Sequence, residues 1–189
     1  MTDTNEHMPD EVDEERRDFI HIAAIAATAG GAAMVAVPLI AQMSPAADTK
    51  AASSLDVDVS KVPVGGEIRV LIGGKPFFIR HRTAKEISEA QSVNVESLRD
   101  PESDEDRLRP MADGTYRPEI LVTSGVCTHL GCVPVGPSQG NVGSFGGWYC
   151  PCHGSEYDTS GRIRKGPAPT NLPVPEYKYV SADTVNISL

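Results

Sequence analysis

Two short boxes decide how this chain folds: Cys127-Thr128-His129-Leu130-Gly131-Cys132 (CTHLGC) and Cys150-Pro151-Cys152-His153-Gly154-Ser155 (CPCHGS). They hold all four cysteines and two of the five histidines, and 20 residues separate His129 from Cys150. One cysteine and one histidine can be drawn from each box, as C-x-H from the first and C-x2-H from the second. Structural zinc sites usually pair like ligands in C-x2-4-C and H-x3-5-H knuckles, and neither box has that pattern. A disulfide framework alone would account for four cysteines in an exported domain, but it gives no reason for a histidine close to a cysteine in both boxes. A [2Fe-2S] centre of mixed ligation, in which two imidazoles replace two thiolates on one iron, uses all of these residue types. Neutral imidazoles leave such a cluster less negative than four thiolates would, so an added electron is better tolerated and the potential rises.

The sequence around the boxes is mostly extended. Residues 67–72 and 75–81 read as two strands joined across Gly73-Gly74, a two-residue hairpin turn that tolerates positive φ. Thr83-Ala84-Lys85-Glu86 is a capping-box pattern and predicts a short helix from 84 to about 92. Residues 119–123 read as a strand leading into the first box. Val185, Ile187 and Leu189 alternate with polar residues at the period of a half-buried strand, with 177–180 as its pairing partner. Residues 94–114 carry a dense acidic stretch between Asp100 and Asp106 and are expected to form a solvated surface insertion without chemistry. There is no internal repeat, and the head reads as mostly β.

Upstream, residues 19–40 contain no Asp, Glu, Lys or Arg. As a helix this run spans about 33 Å, close to a hydrocarbon core of about 30 Å. Eight alanines and a Gly-Gly pair make it weakly apolar, and Pro38 is expected to break or kink it near its end. Arg16-Arg17 directly before the run resembles a twin-arginine export signal. The positive-inside rule then leaves residues 1–18 in the cytoplasm and the later chain outside. Ser44-Pro45-Ala46 has the look of a cleavage site, yet the apolar run exceeds the 7 to 15 residues of a signal-peptide core, which favours an uncleaved anchor. Residues 42–54 are small and polar, the composition of a flexible hinge.

The net charge of -9 over 189 residues argues against a nucleic-acid binder, and its distribution is uneven. Residues 1–18 hold eight acids and two bases, whereas residues 61–189 hold 15 acids and 14 bases. The acidity therefore belongs to the tail, and a mitochondrial transit peptide, poor in acids, is not what precedes the anchor.

The two boxes, the twin-arginine-like anchor, the hinge and a Gly166-Pro167-Ala168-Pro169 loop together resemble the Rieske iron–sulfur subunits of bacterial ubiquinol-cytochrome c reductase, respiratory complex III. The resemblance implies a tail (1–18), a transmembrane anchor (19–41), a hinge (42–54) and a periplasmic β-sandwich head (55–189). The head would carry a small cluster-binding subdomain at about 122–165, and the protein would sit single-pass in a bacterial inner membrane. It implies one [2Fe-2S] cluster per chain, with Cys127 and Cys150 on one iron, His129 and His153 on the other, and a disulfide between Cys132 and Cys152. Ser155 and Tyr157 fall at positions whose hydroxyls would hydrogen-bond a bridging sulfide and a cysteine sulfur. Leu130 would shield the cluster from water, and Gly125, Gly131 and Gly154 would free backbone amides to approach it, unless they serve only turns. His153 would contact the quinol. The implied work is acceptance of one electron from ubiquinol at the cytochrome b subunit and delivery to a c-type cytochrome, within a dimeric complex.

Glu156, where the family often has His, departs from the pattern but leaves the ligand set intact. His7, His21 and His81 match no motif and read as solvated or structural. A soluble Rieske ferredoxin would lack the second cysteine pair and the export segment. The Rieske subunits of arsenite oxidase and of plastoquinol-plastocyanin reductase are the nearer alternatives.

Overall fold

The run Phe77-Phe78-Ile79 lies inside a strand, so its side chains must alternate between two faces. In the computed structural model both faces are buried. The structure describes residues 14–46, 49, 53–140 and 142–189. Its chain divides into two units, Met1–Ala46 and Ala47–Leu189.

The first unit is helix α1 (Glu14–Gln42). Within Glu15–Gln42 an 18-residue stretch has a mean hydropathy of 1.9, and the helix is long and apolar enough to cross a membrane. Phe19, Ile22, Ile25, Met34 and Val37 are all exposed on it. Glu15 and Asp18 near its N-terminus suit the positive end of the helix dipole, and the helix begins ahead of the apolar run. The expected break at Pro38 does not occur. Proline removes a single amide donor, and only about one further turn follows it before Gln42. The tail up to residue 13, with His7, lies outside the described residues, as do positions 47, 48 and 50–52 of the expected hinge.

The second unit contains three three-stranded antiparallel sheets among the described residues. The first orders β1 (Ser54–Asp58), β9 (Thr184–Ser188) and β8 (Glu176–Tyr179). The second orders β2 (Glu67–Ile72), β3 (Lys75–His81) and β4 (Ile120–Ser124). The third orders β5 (Gly146–Cys150), β6 (Ser155–Asp158) and β7 (Ile163–Lys165). The middle sheet is shared by two cores. Phe77, Ile79, Ile120 and Val122 pack with Val57, Tyr177, Val185 and Ile187 of the first sheet. The alternate residues Phe78 and Leu121 pack with Trp148, Cys150, Tyr157 and Ile163 of the third. A period of two thus makes a β-sandwich on one side and a platform for the cysteine boxes on the other. Phe78 stacks on Trp148 at 5.7 Å, and Trp148 Nε1 donates to Glu67 Oε2 at 2.7 Å, fastening the third sheet to the second.

Two expectations hold closely. The β2–β3 hairpin turns at Gly73 and Gly74, both at positive φ. Helix α2 (Ala84–Gln91) starts at a capping box in which Glu86 N donates to Thr83 Oγ1 and Thr83 N donates to Glu86 Oε2. The reading of 94–114 as a solvated insertion holds for exposed positions such as Glu105 and Asp106 but fails at four others. Leu98, Asp104, Arg107 and Leu108 are all buried. Arg82 donates from both terminal nitrogens to the two Asp104 oxygens, at 2.6 and 3.2 Å. Ser160 Oγ donates to Asp104 Oδ1 at 2.5 Å, and Arg107 donates to Glu102 Oε2, Leu172 O and Ser160 O. Asp104 and Glu102 face buried arginines, and the segment is the wall that closes the second core.

Candidate metal centre

The first box follows β4 after two residues, and the second is the connection from β5 to β6. Both close in the same way. Gly131 N donates to Cys127 O at 3.0 Å and Gly154 N donates to Cys150 O at 2.9 Å, each glycine at positive φ four residues after its cysteine. Cys127 N also donates to Cys132 O at 2.7 Å, tightening the first loop. Of the two readings of Gly125, Gly131 and Gly154, the turn reading fits the backbone: all three amides are used by it, Gly125 N donating to Pro76 O. Gly125 is small for a packing reason, since a Cβ there would lie 3.0 Å from the Phe78 ring. After the first box the chain runs beside the second, with Val135 and Tyr149 exchanging two backbone hydrogen bonds of 2.8 Å.

The loops face each other with their donors in layers. Cys127 and Cys150 are each 2% exposed and sit in the core under the loops. The His129 and His153 rings meet edge to face at 4.6 Å, His129 half-buried and His153 exposed. Leu130 is 71% exposed, so its side chain is presented outward beside the rings. The four cysteines are unbonded thiols, and the sulfurs of Cys132, Cys150 and Cys152 lie within 4.8 Å of one another.

Behind the thiols, buried Tyr157 places its hydroxyl 3.2 Å from Cys127 Sγ and accepts from Thr128 N at 3.4 Å. Burial, with the Cys127 sulfur beside it, pushes the Tyr157 phenol up, so it remains an O–H donor. Burial likewise pushes the Cys150 thiol up to about 12. Ser155 is buried, and its Oγ accepts from Ala168 N at 3.2 Å, which leaves its own proton to donate elsewhere. Glu156 turns away from the boxes to accept from Ser144 N at 2.6 Å and from Lys165 Nζ at 3.0 Å. His81 is structural, its Nδ1 lying 2.8 Å from Val62 O.

The donor set fits a [2Fe-2S] group. One buried thiol and one outward imidazole come from each of two facing loops, and two hydroxyls stand on the thiol side. Sequence reasoning missed Thr128, whose Oγ1 donates to Thr170 O at 2.7 Å and ties the first box to the residue that follows the Gly166–Pro169 loop. A threonine between a cysteine and a histidine carries no signal for such a role.

The chain matches known proteins along most of its length. Residues 7–46 match the family model described as "Ubiquitinol-cytochrome C reductase Fe-S subunit TAT signal", and residues 57–178 match "Rieske [2Fe-2S] domain". It is 50% identical over 179 residues to the ubiquinol-cytochrome c reductase iron-sulfur subunit of Blastochloris viridis, covering 94% of this chain and 95% of that protein. Identity to the same subunit of Rhodospirillum rubrum is 51% over 176 residues, covering 93% and 92%. Identity to the mitochondrial cytochrome b-c1 complex subunit Rieske of Schizosaccharomyces pombe is 52% over 154 residues, covering 82% and 63%. The arsenite oxidase alternative is not favoured by these matches.

Proposed function

The chain belongs to the Rieske iron–sulfur subunits of ubiquinol-cytochrome c reductase, respiratory complex III, and on that premise we propose how its residues take an electron from ubiquinol and pass it toward a c-type cytochrome. The observation that carries the reading is the pairing of one buried thiol with one outward imidazole on each of two facing loops. Cys127 and Cys150 would hold one iron and His129 and His153 the other, and Cys132 and Cys152, free thiols in the structure, would close a disulfide across the loops on oxidation. When bound, the [2Fe-2S] cluster supplies a one-electron acceptor whose mixed ligation raises its potential.

His153, the more exposed imidazole, offers its outer ring nitrogen to the hydroxyl of a bound quinol and takes up the proton there. Leu130 beside it is an apolar contact for the same partner surface, keeping water from the transfer. Tyr157 O–H donates to Cys127 Sγ, and Ser155 O–H is free to donate toward a bridging sulfide. Both spread negative charge off the reduced centre. Ser155→Ala should therefore lower the midpoint potential. A hydrogen bond to a charged group contributes about 1.5 to 3 kcal/mol, which for one electron is roughly 60 to 130 mV. An unchanged redox titration would remove Ser155 from this role.

In this proposal α1 is a single-pass anchor in a bacterial inner membrane, the head is periplasmic and the complex holds two copies. By composition alone, residues 42–54 are the proposed tether for the head. Replacing three or more of them with prolines should slow cytochrome c reduction several-fold while leaving the cluster's EPR signal intact, and unchanged turnover would refute the tether. The function as a whole is tested by tagging this chain and purifying from detergent-solubilised membranes. Both b-type and c-type haem spectra and quinol-dependent cytochrome c reduction should accompany it, and their absence would overturn the assignment.

A further inference from the structure

The segment 94–114 does more than close a core. It also reaches the loop that lies on the second box. Gly166 sits at φ +98°, and a Cβ there would fall 2.5 Å from Ser155 Cα and 2.6 Å from Gly154 O. Loop and box therefore meet backbone to backbone. Two residues on, Ala168 N donates to Ser155 Oγ at 3.2 Å. The carbonyls on either side of this contact are held from outside: Arg99 Nη1 donates to Gly166 O at 2.6 Å and to Ala168 O at 2.7 Å. The far end of the loop is tied to the same segment, since Asn171 N donates to Asp100 Oδ2 at 2.8 Å.

We propose that Arg99 is a positioning residue for the redox centre, bridging the Gly166 and Ala168 carbonyls so that the Ala168 amide fixes the Ser155 hydroxyl in its donating orientation. The inference rests on the reading of Ser155 as a donor to the cluster. The physical chain is short. A hydroxyl rotates freely unless its oxygen is anchored, and Ala168 N is the group that anchors it. That amide keeps its direction only while the peptides flanking it are fixed. Arg99 itself is exposed, whereas Ser155 and Ala168 are buried, so the device is operated from the surface of the head. Hydrogen bonds from an exposed guanidinium contribute little to global stability, so the role lies in geometry rather than in holding the fold together.

The test is a double-mutant cycle on midpoint potential in the assembled complex, with Arg99→Ala, Ser155→Ala and the pair, and EPR to verify that the cluster is loaded. Arg99→Ala should lower the potential by less than Ser155→Ala does, and should produce no further shift in the Ser155→Ala background. Arg99→Lys, whose ammonium can also bridge two carbonyls, should recover part of the loss. Equal shifts of Arg99→Ala in both backgrounds would mean that only its charge acts, and would overturn the proposal. An unshifted Arg99→Ala beside a shifted Ser155→Ala would overturn it while leaving the ligand reading untouched. If Ser155→Ala itself is silent, the donor reading fails and the proposal falls with it.

Discussion

Replacing His153 with alanine should abolish the iron–sulfur centre: purified protein should lose its visible absorbance, its bound iron and its reduced-state EPR signal. The expectation follows from the layering of the site. The two imidazoles lie on the outer side of the loops, 4.6 Å apart, and both thiols assigned as ligands are buried beneath them. On the proposed ligand set, removing one ring would leave one iron with a single protein donor. The neighbouring Cys152 is committed to Cys132 in this account, so no spare donor stands in the second loop. The loss should be essentially complete, because a two-iron centre with three protein ligands is not closed. The fold itself should survive, since His153 is exposed and contributes nothing to either core. Far-UV circular dichroism of the variant should match the parent. A variant that retained an unaltered EPR spectrum would remove His153 from the ligand set.

The second large effect is expected far from the boxes. Asp104→Ala should destabilise the head by about 3 to 5 kcal/mol, because it leaves the buried Arg82 guanidinium without its counter-charge. Arg82 and Asp104 are both fully enclosed, and Ser160 Oγ loses its acceptor in the same step. A domain of this size is stable by only about 5 to 15 kcal/mol, so the loss is a large fraction of the total. Urea unfolding followed by loss of the cluster chromophore should show a strongly reduced midpoint. A change below about 1 kcal/mol would mean that the pair is solvated rather than buried.

That prediction concerns a region that local sequence misreads. Asp104 reads as part of a solvated face because its partners are distant in sequence: Arg82, 22 residues before it, and Ser160, 56 residues after it. Pairings of that separation exist only once the third sheet is docked on the second. The β2–β3 hairpin was legible for the opposite reason, since Gly73-Gly74 fixes the turn and the register follows residue by residue from it. The two boxes were legible because ligand chemistry demands its residue types at short spacing. The loop glycines were half legible: their sequence marks a turn, but only the folded backbone reveals that the Gly131 and Gly154 amides are already used. Pro38 leaves the helix unbroken because little helix remains beyond the proline. Arg99 carries no motif at all, and its link to the centre passes through two carbonyls and an amide.

The central claim is that two imidazoles, one from each box, bind the same two-iron cluster as two thiolates. Pulsed EPR on the reduced, uniformly 15N-labelled protein reads this directly. The account predicts two strongly coupled nitrogens, one lost when 14N-histidine replaces the label at each of His129 and His153 by site-selective incorporation. A reduced [2Fe-2S] spectrum without strongly coupled nitrogen would mean all-thiolate ligation by the four cysteines, and would contradict it.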